Sequence, residues 1–332
     1  MKYAFMVAGG IFVLVLAIML VCFFKIFYSR RKKETEEFPI PNGEIYEAHR
    51  PQMVQWIKDM RSMAHRECFI TSEDGLRLYG RYYEYKKGAP MEILFHGYRG
   101  SSERDLCGGV HRCFALGRNA LIVDHRAAGK SEGRVITFGA KESRDALLWV
   151  DYAVREIDPR AKIILTGISM GAATVMMAAS KPLPENVVGI LADCGYTSTR
   201  DIIKKVIRDM HLPANLLYPF ARLSAIVFGG FDPDADSPRE SMKKTALPII
   251  FFHGDEDSFV PASMSEENYA ACASEKKLLV LTPGAGHGLC FPTDQGTYLK
   301  ALDAFFAPIL EEKNAVSAPD AEIDEKKENT RE

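Results

Sequence analysis

Between residues 91 and 310 the chain alternates short, almost wholly apolar runs with longer stretches of helical character. The runs Met91–Phe95, Ala120–Val123, Ile163–Gly167, Val187–Ala192, Pro248–Phe252 and Leu278–Leu281 predict strands. The stretches near Glu103–Leu116, Lys141–Glu156, Met170–Ala179, Thr199–Met210, Ser263–Ala273 and Thr293–Leu310 predict helices. Strands alternating with helices of this length predict an α/β fold whose mostly parallel sheet is covered on both faces. Ahead of this series, Cys68–Thr71 and Leu76–Tyr85 flank an Asp74-Gly75 turn signal and predict an antiparallel hairpin. Met53, Trp56, Ile57 and Met60 recur at helical spacing between Tyr46 and Arg66, which predicts a helix on the domain edge.

The alternation breaks between about 211 and 245, where Leu212, Leu216, Leu217, Phe220, Leu223, Ile226, Val227 and Phe228 crowd together before Gly229-Gly230. One reading is an insertion over the sheet that forms a lid or a wall of the substrate pocket, with Leu216 and Phe220 facing substrate. The other is a helix pair whose apolar face joins the core.

The two ends differ from this middle. Ala4 to Phe24 carry no charge and suffice to cross a hydrocarbon core as a helix. A cleavable signal peptide would have a shorter apolar region and a small-residue cleavage site. Val21 is too large for a lipidation box at Cys22. Only Lys2 and the amino terminus precede the span, whereas Lys25, Arg30, Arg31, Lys32 and Lys33 follow it, so charge asymmetry places the α/β domain in the cytoplasm of a single-pass membrane protein. The expected organisation is an anchor with basic flank (1–33), a linker and amphipathic helix (34–66), an α/β domain (67–310) with its insertion at 211–245, and a disordered charged tail (311–332).

Composition narrows the function classes. A formal net charge of −2 gives no footprint for nucleic acid. The seven cysteines show no metal or redox spacing, so they read as free thiols of a reducing compartment. No phosphate-cradling loop or dinucleotide fingerprint is present, and no cofactor or metal is implied.

Chemistry enters at Gly167-Ile168-Ser169-Met170-Gly171, which lies between a strand and a run of small helix formers. This is the order of a nucleophile elbow, with Ser169 as the nucleophile. A serine hydroxyl needs a base within hydrogen-bond reach and a carboxylate to orient that base. His287, between Gly286 and Gly288, is the expected base, and Asp257, in the loop after Pro248–Phe252, is the preferred acid. Asp193 and Asp255 are its alternatives, the latter able to stiffen its own turn instead. His253 is expected to be a buried, hydrogen-bonded side chain. The oxyanion needs two backbone donors, assigned to Met170 and to Tyr98 in His96-Gly97-Tyr98-Arg99-Gly100. His96 is expected to be structural, and Asp124–Gly133 to be a turn with an internal salt bridge.

Taken together, His96-Gly97-Tyr98, the elbow at Ser169, the segment from His253-Gly254 through Asp257 to Val260-Pro261, and Gly286-His287 resemble the α/β-hydrolase superfamily over about Ile70 to Leu310. Within it the chain is similar to serine hydrolases with one amino-terminal membrane helix, near esterases, lysophospholipases and the prolyl-oligopeptidase-like group. The resemblance implies an eight-stranded sheet with its second strand antiparallel, and acyl transfer to water through an acyl-serine. Ala172 stands where many related peptidases carry glycine, which leans toward esters. The expected function is a membrane-anchored carboxylic-ester hydrolase acting on a lipid-like or other medium-sized acyl ester. Its alternatives are a serine aminopeptidase or oligopeptidase using the same residues, and a non-catalytic binding protein on the same fold.

Overall fold

The computed structural model describes residues 1–30 and 36–315. At its centre are β1 (Arg66–Thr71), β2 (Arg77–Tyr83), β3 (Met91–Phe95), β4 (Asn119–Val123), β5 (Ile163–Ile168), β6 (Val187–Asp193), β7 (Ile249–Gly254) and β8 (Lys277–Thr282). They form one sheet in the order β1, β2, β4, β3, β5, β6, β7, β8. β2 runs antiparallel to both neighbours, and all pairings from β4 to β8 are parallel. The hairpin therefore forms the leading edge of an otherwise parallel sheet, as the patterning predicts. β3, β4, β6 and β7 are buried along their whole length, which is why they read as almost wholly apolar runs. β8, at the far edge, is half exposed.

Around the sheet lie α1 (Lys2–Cys22), α2 (Glu44–Glu47), α3 (Arg50–Ser62), α4 (Ser102–Ala115), α5 (Glu142–Tyr152), α6 (Met170–Ala178), α7 (Thr199–Asp209), α8 (Ala214–Ser224), α9 (Pro238–Met242), α10 (Ala262–Ala271), α11 (Cys290–Thr293) and α12 (Gln295–Ala315). One face of the sheet packs under Trp149 of α5 and Val175 and Met176 of α6. The other packs under Trp56 and Ile57 of α3, Leu106 of α4, and Tyr298 and Phe306 of α12.

Charge enters this core on β3. Glu92 of β3 is fully buried and accepts from Arg112 at 2.5 Å, Arg118 at 2.7 Å and the Thr166 hydroxyl at 2.8 Å. Burial opposes its charge, but the two guanidiniums prevail and hold its carboxyl down at about 2. The segment Asp124–Gly133 is a turn, but Arg126 reaches outside it, to Asp145 at 2.7 Å and Asp74 at 2.9 Å. Two elements thereby hold the turn where an internal bridge was expected.

A third apolar cluster stands over the carboxyl edge of the sheet. It joins Phe138, Tyr196, Ile202 and Ile203 to Tyr218 of α8 and to Phe23 and Phe27, which follow α1. In the 211–245 segment, Tyr218 of α8 is buried in this cluster and Ala221 is also buried, while Leu223 is exposed and Leu217 reaches a cavity described below. Lys2–Phe27 is long and apolar enough to cross a membrane, and most of α1 is exposed. Helix α12 continues past Leu310 to Ala315; the rest of the tail expected to be disordered, from residue 316, lies outside the described residues, as do residues 31–35.

Candidate active site

Ser169 occupies the single step between β5 and α6, with φ 56° and ψ −114°. A non-glycine residue there carries strain of about 1–3 kcal/mol, which the surrounding packing must hold. Two glycines make the turn possible. A Cβ at Gly167 would overlap the backbone of Gly171, and one at Gly171 would overlap the carbonyl of Phe95, so neither clash is relieved by a rotamer change. The Ser169 amide donates to the Asp193 carbonyl at 2.8 Å, fixing the elbow to β6.

The loops after β7 and β8 leave the same edge of the sheet and bring two side chains to the serine. His287 Nε2 lies 2.9 Å from Ser169 Oγ, and its Nδ1 lies 2.7 Å from Asp257 Oδ2. An ionised carboxylate only accepts, so Nδ1 carries the proton and Nε2 is left to accept from the hydroxyl. Oδ1 of Asp257 accepts from the amides of Phe259 at 2.9 Å and Val260 at 2.8 Å. Burial opposes the Asp257 charge, yet hydrogen bonds from His253 and His287 hold the carboxyl well below the usual carboxylate range. His287 itself is steadied by the Phe259 ring, 5.0 Å away edge-on, and by Tyr46, whose hydroxyl donates to its carbonyl at 2.9 Å.

The alternative acids have other partners. Asp193 accepts from Tyr298 at 2.9 Å, and burial raises its carboxyl above the ordinary range. Asp255 accepts from the Gly284 amide at 2.7 Å, joining the acid loop to the histidine loop. His253 is buried, with Nδ1 2.7 Å from Ser265 Oγ, and Nε2 2.8 Å from the Val260 carbonyl and 3.2 Å from Asp257 Oδ2. It supports the acid from behind. Cys194 Sγ lies within 4.8 Å of the polar atoms of Asp257 and His287. Burial raises that thiol well above its ordinary value, which disfavours the thiolate that a metal ion would need.

The segment His96–Gly100 runs beside the elbow: a Cβ on Gly97 would stand 3.5 Å from that of Ser169. Gly97 donates its own amide to Asp105 Oδ2 at 3.1 Å. His96 is buried and accepts at Nε2 from the His125 amide at 3.0 Å, so its Nδ1 donates to the Gly97 carbonyl at 2.7 Å. Burial lowers this imidazole below its ordinary value, in keeping with a neutral, structural ring. Tyr98 follows directly, and Met170, as the first residue of α6, has an amide with no preceding turn to bond.

Above Ser169 is a cavity of about 690 Å³. Its walls are Ile202, Ile203, Val206 and Ile207 of α7, Leu212 and Leu217 of the insertion, Phe138, Tyr196 and Phe259, and a row from the end of α1. The two pocket residues expected from sequence do not line it: Leu216 is 64% exposed, and Phe220, one turn on, is half-buried on the same face of α8. Leu217, about 100° around the helix, is the residue that does. The wall from α7 also has a sequence signal of its own: Ile202, Ile203, Val206 and Ile207 form one apolar stripe at helical spacing. A larger polar groove of about 870 Å³ lies on the other side of Lys25 and Arg99 and does not include Ser169.

Residues 93–221 match the family described as alpha/beta hydrolase fold. The esterase Pf2001 of Pyrococcus furiosus has a similar structure, with TM-score 0.62 and 21% identity, covering 76% of this chain and 94% of that one. The chain has the α/β-hydrolase fold. Est1E from Butyrivibrio proteoclasticus, known with ferulic acid bound, also has a similar structure, at TM-score 0.55 and 21% identity over 74% of this chain and 99% of that one. In sequence the chain is 28% identical over 197 residues, 59% of its length, to the uncharacterized protein YqkD of Bacillus subtilis. It is 25% identical over 209 residues, 61% of the chain, to protein bem46 of Schizosaccharomyces pombe. The match spans 64% of YqkD and 63% of bem46, under two thirds of either.

Proposed function

We propose that this protein is a membrane-anchored serine hydrolase that cleaves carboxylic esters through an acyl-serine on Ser169. The observation that carries the proposal is the unbroken chain from Asp257 Oδ2 to His287 at 2.7 Å and from His287 Nε2 to Ser169 Oγ at 2.9 Å. In the first half-reaction Ser169 Oγ attacks the ester carbonyl while His287 Nε2 takes the hydroxyl proton. The carbonyl electron pair moves to oxygen, and the amides of Tyr98 and Met170 receive the oxyanion. As the tetrahedral intermediate collapses, the bond to the leaving alkoxy oxygen breaks and His287 returns the proton to it. Water then repeats the sequence on the acyl-serine, with His287 again as base, and releases the carboxylic acid. Asp257 stays ionised throughout and keeps the imidazole in the required tautomer.

The cavity favours an ester with an apolar acyl group. Among the described residues, no acidic side chain lines it, so it offers nothing to pair with the amino terminus of a peptide. The apolar span Lys2–Phe27 would hold the enzyme at the membrane, and the basic residues after it would keep the catalytic domain in the cytoplasm. Turnover of 4-nitrophenyl esters and of aminoacyl 4-nitroanilides by the full chain tests the reading. Hydrolysis of the esters is expected, and hydrolysis of the anilides alone would overturn it in favour of a peptidase.

A further inference from the structure

The end of α1 is built into the catalytic domain. Phe27 is fully buried, with its ring edge-on to Phe138 at 5.7 Å and Phe231 at 5.5 Å, and Phe23 meets Phe228 at 5.6 Å. Backbone bonds on both sides of Tyr28 join the segment to the chain near Val135: Ile136 donates to the Phe27 carbonyl and Ser29 to the Arg134 carbonyl, each at 2.8 Å. The loop beside the nucleophile holds the same segment. The Tyr98 hydroxyl donates to the Ile26 carbonyl at 2.6 Å, and Arg99 donates to the Lys25 carbonyl at 2.7 Å.

This attachment fixes which face of the helix meets the site. Ala17, Ile18, Val21 and Cys22 share one helical face, and with Ile26 in the next turn they line the cavity that contains Ser169. From Ile18 to Ile26 that wall extends about 12 Å along the axis. The cavity therefore lies where the apolar span enters the catalytic domain, beside α8, whose Leu216 and Leu223 are exposed.

We propose that the last turns of the membrane-spanning helix form the acyl-chain wall of the active site, and that the substrate is a membrane-resident, long-chain acyl ester whose chain lies along this helix. The proposal rests on the serine-esterase reading above and adds its substrate class. The helix is then both anchor and specificity element: short acyl groups reach Ser169 without touching it, and long ones need it.

The test uses the full chain in detergent micelles, with Ile18→Trp and Val21→Trp each narrowing the cavity and Val13→Trp as the control on a part of α1 that does not line it. The readouts are kcat/KM for 4-nitrophenyl acetate and 4-nitrophenyl palmitate, and labelling of Ser169 by a fluorophosphonate. The palmitate-to-acetate ratio is expected to fall at least tenfold in both wall variants while Ser169 is still labelled, and to hold its native value in Val13→Trp. An unchanged ratio in both wall variants, or an equal fall in the control, would overturn the proposal. A native chain that hydrolyses neither ester and leaves Ser169 unlabelled would instead overturn the esterase reading, and this proposal with it.

Discussion

The carboxyl edge of the sheet and the apolar cap above it are built on opposite principles. At the edge, strands β5, β7 and β8 deliver Ser169, Asp257 and His287 into one hydrogen-bonded line, and each loop is fixed by further bonds, such as Asp255 to Gly284 and Tyr46 to His287. In the cap, α1, α7 and α8 meet through apolar side chains, and much of their outer surface is exposed. The edge has the rigidity that bond-making chemistry demands, because misplacing a base by an ångström costs orders of magnitude in rate. The cap offers area and shape, which sort substrates by size while leaving the chemical step alone.

Changes at the edge should then cost far more turnover than changes in the cap. Ser169→Ala is expected to lower kcat about 10⁴-fold or more with the thermal unfolding midpoint near native, and near-native turnover would mean another nucleophile. Asp257→Asn should follow, at up to about 10⁴-fold, because the imidazole loses its orienting acceptor. Asp193→Asn, whose carboxylate serves Tyr298, should cost under about tenfold on the same scale. If Asp193→Asn proves the more damaging, the acid assignment fails.

A third change separates stability from chemistry. Glu92→Ala leaves Arg112 and Arg118 buried and unpaired, so denaturant titration should show a loss of about 3–5 kcal/mol. Acid sensitivity refines the edge further. The Asp257 carboxyl is held below its ordinary range, so its contribution to stability is fully present above the unfolded value of about 3.9 and is lost as pH falls through the lower, folded value. The difference in melting temperature between native protein and Asp257→Asn should accordingly hold constant down to about pH 4 and shrink below it. The smallest effect is expected in the cap, where Leu216→Ser should change stability by no more than about 0.5 kcal/mol.

The same contrast explains what the sequence makes visible. Buried parallel strands leave almost wholly apolar runs, and each run from Met91–Phe95 to Leu278–Leu281 marks its strand to within two residues, the half-exposed β8 included. The elbow also announces itself, since steric demand at Gly167 and Gly171 restricts those positions to one residue type. Local pattern carries no such constraint in the cap. Leu216 and Leu217 are chemically identical neighbours, and only the rotation of α8 against α1 and α7 decides which of them enters the cavity. The end of α1 was equally hidden, because an apolar helix reads as a span whether or not its last turns also face an enzyme's interior. Glu92 escapes notice for a related reason: its two arginines lie 20 and 26 residues away and meet it only once the sheet is folded.

The most direct measurement is to treat the full chain with a fluorophosphonate and map the adduct by mass spectrometry of its peptides, with Ser169→Ala alongside. A single adduct on Ser169, absent from the variant and slowed by orders of magnitude in Asp257→Asn, is the expected result. An adduct on a different residue, or none under conditions where the folded protein hydrolyses esters, would contradict the assignment of Ser169 as the nucleophile.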